Sequence, residues 1–271
     1  MNETRFGNVR VLIPFGFGLN CEDETEHAFR MLGAQVERAH WTDLFAHRHN
    51  RRLNDYQVLG LIGGFAYGDH IGGGVVLATR VRAHLLEDLR AFLQQGGLVL
   101  GICNGFQTMT RLGLLPGPEG DTHDFIASAD LAPNDRLGYR DAWIRVAADT
   151  KSPCVWTKDI GTLDLPSRHG EGKFLVADDA TLDRLDQRGQ LALRYVDTEG
   201  RATEQWPENP NGSARGVAGV CDRSGRCFGL MPHPDAFLHA WQHPDWRRHP
   251  RPAELGAQGL SIFEAGLKAA S

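Results

Sequence analysis

The feature that most restricts the fold is a five-residue apolar run, Leu98–Ile102, which enters Gly101-Ile-Cys-Asn-Gly105 and then a helical stretch, Phe106–Leu112. Apolar at every position, the run fits a central parallel strand buried on both faces. A sharp turn from such a strand into a helix, with glycines flanking a central residue, is the frame of a nucleophile elbow, here with cysteine where many hydrolases carry serine. The preceding sequence supplies the sheet that an elbow needs. Val9–Phe15 is a short apolar run ending in a Gly-rich loop, and Glu22–Leu32 follows with Ala28, Met31 and Leu32 at helical spacing. Val36–His40 and Val58–Ile62 read as two more strands, the second running into Gly63-Gly64, and Val81–Gln95 carries Leu85, Leu89, Phe92 and Leu93 on one helical face. This alternation predicts an α/β fold of the flavodoxin-like, doubly wound kind with a mostly parallel sheet.

From about Asp121 the pattern changes to strands and turns: Ala142–Val146, Lys173–Val176, Leu191–Val196, Gly216–Cys221 and Cys227–Met231. These predict additional strands in the C-terminal half. No Pro/Ser-rich linker and no internal repeat divides the chain, so a single domain over residues 1–271 is expected. Pro207–Arg215 and Gln242–Pro252 are rich in turn formers and read as surface loops or an insertion, and Ser261–Ala269 as a closing helix.

Composition excludes several classes of function. No apolar run approaches the length needed to span a bilayer, and Met1–Arg10 lacks the basic and apolar regions of a signal peptide, so a cytoplasmic protein is expected. A formal net charge of -5, without a basic stripe interleaved with aromatics, argues against nucleic acid as a partner. The five cysteines are an odd number in no recurrent metal spacing, which favours free thiols over a disulfide framework or a metal site.

Among those thiols Cys103 alone has the elbow frame. The following helix N-terminus places positive potential beside its sulfur and favours thiolate, and the N–H of Asn104 would point at an incipient oxyanion. Cys154, Cys221 and Cys227 read as packing residues, while Cys21, in a polar loop after the first strand, is the competing candidate. A thiol nucleophile needs a base and a group to orient it, close in space but not in sequence. Met231-Pro-His-Pro-Asp235 follows an apolar strand, and its prolines would hold His233 and Asp235 in an extended turn with both side chains on one side. His239, His243 and His249 read as surface-loop histidines.

The Gly-Ile-Cys-Asn-Gly-Phe-Gln elbow together with Met-Pro-His-Pro-Asp near the C-terminus resembles the class I, or triad, glutamine amidotransferases. Within that group the chain is most similar to the glutaminase components of phosphoribosylformylglycinamidine synthases, through Gly63-Gly-Phe-Ala-Tyr-Gly-Asp69, His169-Gly-Glu-Gly172 and Asn209-Pro-Asn-Gly-Ser213 in family order. The resemblance implies that Cys103 attacks the side-chain amide of glutamine, that His233 is general base and acid, and that Asp235 orients it. It further implies oxyanion-hole N–H groups at Gly64 and Asn104, a glutamine contact at Gln107, and a His169-Gly-Glu-Gly172 segment lining the glutamine site or the partner interface. No cofactor is implied for this chain. ATP and magnesium belong to a large synthetase partner, with room for a small third subunit, which uses the ammonia to convert formylglycinamide ribonucleotide to its amidine. The sequence departs from the family pattern at Asp235, where glutamate is usual, at His-Ile-Gly-Gly-Gly74, where an arginine is common, and in a long stretch from Ala236 to Leu255.

Three other readings stay open at this level. A non-catalytic subunit could have kept the fold and lost the chemistry through Asp235. A different Cys-elbow enzyme, such as a peptidase or chaperone-like hydrolase, would place its base elsewhere. A flavodoxin-like nucleotide binder would use Phe15-Gly-Phe-Gly-Leu-Asn20, which lacks both the dinucleotide fingerprint and a P-loop Lys-Ser/Thr.

Overall fold

The strand that ends in the elbow lies inside a nine-stranded sheet, in a computed structural model that describes residues 5–118, 125–248 and 258–271. Five parallel strands form one half: β1 (Arg10–Phe15), β2 (Gln35–His40), β3 (Val58–Leu61), β4 (Leu98–Ile102) and β11 (Cys227–Leu230), in the order β2-β1-β3-β4-β11. Every residue of β3 and β4 is buried, which is why their sequences are continuously apolar rather than alternating. Helices cover both faces. On one side α1 (Glu22–Met31) packs against the closing helix α6 (Leu260–Ala270), with Phe29 and Phe263 edge to face at 4.9 Å between ring centres. On the other, α2 (Trp41–Phe45) meets α3 (Val75–Gln94), and α3 meets α4 (Asn104–Leu112). The arrangement is the doubly wound fold that the alternation predicts.

The sheet continues antiparallel through β10 (Val217–Cys221), β9 (Leu193–Tyr195), β6 (Arg140–Ala148) and β7 (Thr162–His169). A separate two-stranded antiparallel sheet joins β5 (Ala129–Pro133) to β8 (Glu171–Val176), and α5 (Asp179–Gln187) follows. At Gly170 the chain leaves the large sheet for the small one, between β7 and β8. Among the described residues no helix is long and apolar enough to cross a membrane.

Three expectations from sequence need correction. Helix α3 begins at Val75, not Val81, because Gly74 in the left-handed region (φ 73°) starts it directly after the glycine run and buries Leu77 and Ala78. Strands β5 and β7 lie outside the runs that read as strands from the sequence. The segment Pro207–Arg215 is not simply a surface loop: Asn209, Asn211 and Ser213 are buried. The Asn211 amide donates to Gly172 O (2.8 Å) and the Tyr195 hydroxyl (3.1 Å), and Phe174 N donates to Ser213 Oγ (2.9 Å), so this polar segment pins β8 in place. Buried asparagines here replace missing ladder bonds. Of the other turn-rich segment, Gln242–Pro252, a 3-10 turn at Ala240–Gln242 overlaps the start, while residues 249–252, including His249, lie outside the described residues.

Candidate active site

Four parallel strands deliver their C-terminal ends to one crevice, where doubly wound folds bind ligands. The loop after β1 leads to Asn20 and Cys21, β3 runs into Gly63-Gly64, β4 into Cys103, and β11 into His233. All but Gly63 line a cavity of about 260 Å³, together with Glu24, Asp69, Gln107 and Tyr139. Arg168, His169, Gly170 and Glu171 close it from the junction of β7 and β8.

Cys103 sits at φ 51°, ψ -104°, a backbone conformation that L-residues rarely adopt. The bend is over-determined by its surroundings: Cys103 N donates to Leu230 O (2.8 Å), and α4 starts at the next residue. Gly105 explains the small residue two positions on, since a Cβ there would lie 2.0 Å from Leu61 O. Strain of this kind, of order 1–3 kcal/mol, persists only where packing enforces it and typically marks a functional residue. Cys103 is 7% exposed, with Sγ 3.6 Å from Arg168 O.

His233 and Asp235 are both buried, with His233 Nδ1 3.3 Å from Asp235 Oδ1. The approach lacks the alignment of a full hydrogen bond, and neither side chain has another hydrogen-bond partner of good geometry. The turn between them is 3-10 (Pro234–Ala236), not extended as the prolines suggested. That tighter turn curls residue 235 back toward 233, so the short carboxylate reaches the imidazole. His233 itself stays out of the helical region (φ -106°, ψ 88°), in line with the bias on a residue before proline, and its N–H donates to Pro166 O (2.7 Å), tying the base to β7. Burial pulls the imidazole's pKa down, but the charge and contact of Asp235 and the two nearby thiols outweigh it, and the pKa stands well above its ordinary value.

Cys21, expected in a polar loop, is buried at the N-terminus of α1 and within hydrogen-bonding reach of the same imidazole. Burial raises its thiol pKa; the bond from His233 opposes this and the Asp235 charge adds to it. All five cysteines are buried and free.

The residues expected to hold substrate divide. Gly64 (φ 137°) lines the cavity, and Asn104 offers an N–H at the first position of α4, where no intrahelical acceptor exists. The Asn104 side chain is fully buried and structural, donating to Asp69 Oδ1 (2.8 Å) and Gln107 Oε1 (2.8 Å) and accepting from Ala66 N (3.3 Å). Gln107 lines the cavity with both ends of its amide engaged, the second donating to Glu171 O (2.7 Å). Burial, with the charge of Glu171 adding and the Asn104 bond opposing, lifts the Asp69 carboxyl to about 6.

The His-Gly-Glu-Gly motif singles out His169 but not the residue that orients it. Its Nδ1 meets Asn134 Oδ1 at 3.1 Å, while Asn134 Nδ2 donates to His169 O (3.0 Å). Burial, with the nearby His233 charge, lowers its pKa to about 3, so it is a neutral ring at working pH. Nothing local in the sequence marks Asn134; the two come together only through the β5–β8 pairing. Cys21 did leave a signal, since it follows β1 as Cys103 follows β4, and these parallel strands, separated only by β3, end at one crevice.

The CobB/CobQ-like glutamine amidotransferase domain matches residues 8–268 of this chain. A phosphoribosylformylglycinamidine synthase subunit PurQ from Methanococcus maripaludis is 40% identical over 88% of this chain and 86% of its own length. The subunit of the same name from Dehalococcoides mccartyi is 38% identical over 96% of this chain and 97% of its own. Among solved structures, a chain of PurLQS from Thermotoga maritima superposes with a TM-score of 0.69 at 25% identity, covering 96% of this chain and 98% of that one. With its cysteine elbow in a doubly wound sheet and a family match over nearly its whole length, the chain belongs to the CobB/CobQ-like glutamine amidotransferases.

Proposed function

We propose that this chain is the glutaminase subunit of a phosphoribosylformylglycinamidine synthase, reading residues 1–271 as one amidotransferase domain. The observation that carries the chemistry is the strained Cys103 at the end of β4, sharing a cavity with a His233 that is itself backed by Asp235. Cys103 gives its proton to His233 and attacks the side-chain carbonyl carbon of glutamine. Negative charge collects on the carbonyl oxygen, where the N–H groups of Gly64 and Asn104 act as donors. His233 returns the proton to the leaving nitrogen, ammonia departs, and a glutamyl thioester remains on Cys103. Water, deprotonated by His233, then attacks the thioester to release glutamate and restore the thiol. Asp235 keeps the imidazole oriented and supports its positive charge.

The cavity suits a small zwitterion. At about 260 Å³ it falls just below the range of drug-sized pockets. Its wall offers Arg168 for an α-carboxylate and Glu24, Asp69 and Glu171 for an α-ammonium. Gln107 acts as a brace between α4 and β8, holding Glu171 at the rim. The ammonia passes to a large synthetase subunit, with a small third subunit in the assembly, and ATP and magnesium are used on the synthetase side. Five free thiols suit a reducing, cytoplasmic setting.

Cys103→Ala in the reconstituted complex tests this reading. Glutamine-dependent synthesis should fall at least about 10³-fold while synthesis from added ammonia is retained. Survival of glutamine use would remove Cys103 as the nucleophile, and failure of a glutamine-analogue electrophile to label Cys103 in the unsubstituted complex would favour a non-catalytic subunit.

A further inference from the structure

The triad leaves one chemically active group unused. Cys21 plays no part in glutamine hydrolysis as derived above, yet its sulfur, a ring nitrogen of His233 and a carboxylate oxygen of Asp235 all lie within 4.8 Å of one another. The three residues are 6%, 3% and 0% exposed. Both ring nitrogens of His233 and both oxygens of Asp235 lack a well-aligned hydrogen-bond partner. A buried soft thiol, an imidazole and a carboxylate are the donor types that zinc-like ions take, and tetrahedral coordination spaces them roughly 3.3–3.7 Å apart, about 1 Å closer than the outer limit seen here. Coordination would require the three side chains to rotate inward by that amount. The cluster opens on a solvent-reaching cavity, since Cys21 and His233 both line it, so an ion has a path in.

We infer that Cys21, His233 and Asp235 form a site for a thiophilic divalent cation of the zinc type, and that its occupation stops glutamine hydrolysis by withdrawing the base from Cys103. The ion displaces the Cys21 proton and the extra ring proton of His233, both released to solvent, and binds the sulfur as thiolate, with imidazole neutral and carboxylate ionised; no oxidation state changes. The cysteine adjacent to the base thereby gives the subunit a reversible off state that leaves the distant synthetase chemistry untouched. The inhibitory half rests on the glutaminase reading; the binding half does not.

The test uses the full chain and two metals. In the unsubstituted protein, one equivalent of Zn²⁺ should slow alkylation of Cys21 at least about 10-fold, read by mass spectrometry of the Cys21 peptide. In a Cys103→Ser chain, which removes the competing thiol, one equivalent of Co²⁺ should give a sulfur-to-cobalt charge-transfer band, and adding Cys21→Ser should abolish it. Unchanged alkylation, a band absent from Cys103→Ser, or a band surviving in the double variant would each overturn the site. In the complex, Zn²⁺ at the occupancy fixed by the alkylation assay should suppress glutamate release while ammonia-dependent synthesis continues. Undiminished glutamate release at that occupancy would overturn the inhibitory role. A chain that binds Co²⁺ through Cys21 but hydrolyses no glutamine under any condition would instead fail the glutaminase reading and leave the binding site supported.

Discussion

Two loops of this protein carry the same residue to the same place. The one after β1 ends in Cys21, the residue before α1, and the turn at the end of β4 is Cys103, the residue before α4; both thiols reach the imidazole of His233. Gly63 lies between them, where an added Cβ would come within 3.1 Å of Cys21 Sγ and 3.6 Å of Cys103 Cβ. The difference is in the backbone. Cys103 is bent to φ 51°, ψ -104°, whereas Cys21 rests at φ -107°, ψ 24°. In the proposed mechanism Cys103 faces the N–H groups of Gly64 and Asn104, which no step derived for Cys21 uses. Proximity to a base is common to both thiols; the strained turn belongs to Cys103 alone of the two.

The strongest way to break that comparison is to exchange the thiols for hydroxyls. Cys103→Ser should lower glutamine hydrolysis at least about 10³-fold, and Cys21→Ser should change it by no more than about 3-fold. Equal losses at both positions, measured as glutamate release by the complex, would mean that the two cysteines share the chemistry. The next lever is the group that serves both thiols. Asp235→Asn removes the charge that keeps His233 basic and should reduce turnover about 10- to 100-fold, with the acid limb of the pH–rate profile moving to lower pH. Restoring the residue usual in the family, Asp235→Glu, forces an extra methylene into a fully buried position and should cost about 1–3 kcal/mol of stability rather than improve the enzyme.

The hinge between the sheets supplies a third, smaller effect. The ring of His169 is held neutral with its pKa near 3, against an ordinary value of 6.5. Below pH 6.5 the unfolded chain takes up a proton at this residue that the folded chain refuses, so stability present above 6.5 is lost as pH falls. At pH 5 the loss is about 2 kcal/mol, from roughly 1.5 units at 1.36 kcal/mol each. Denaturant titrations should show His169→Gln flattening this fall between pH 6.5 and 5. A slope as steep in the variant as in the parent would rule His169 out as its source.

How much of this was legible in the sequence follows from where the determining contacts lie. The parallel half was readable because β1, β3 and β4 are buried on both faces and their helices are amphipathic, so each element announces itself within a short window. The elbow and His233 were readable for the same reason: each sits directly at the end of an apolar strand. The antiparallel half was not. Strand β7 (TLDLPSRH) carries a proline and three charged or titratable residues, yet is largely buried because β6 and the His233 turn cover it. Asn211 and Ser213 look like a solvated turn until Gly172 and Phe174, some 39 residues away, arrive to bond them. The tight 3-10 turn that brings the short Asp235 carboxylate to the His233 ring also escaped, since two prolines around a histidine fit an extended segment equally well.

The finest test of the two loops uses no chemistry at all. Alanine and glycine leave nearly the same space behind when they replace cysteine, so their difference isolates the backbone. At residue 103 the positive φ penalises any residue with a Cβ, and Cys103→Gly should be more stable than Cys103→Ala by about 1 kcal/mol. At residue 21 the backbone is one that ordinary residues adopt, so glycine only adds freedom to the unfolded chain, and Cys21→Gly should be less stable than Cys21→Ala by about 0.5–1 kcal/mol. Chemical denaturation of the four variants decides it. Opposite signs at the two positions are expected; the same sign at both would show that the bend at Cys103 is not strained and that backbone conformation does not set the two thiols apart.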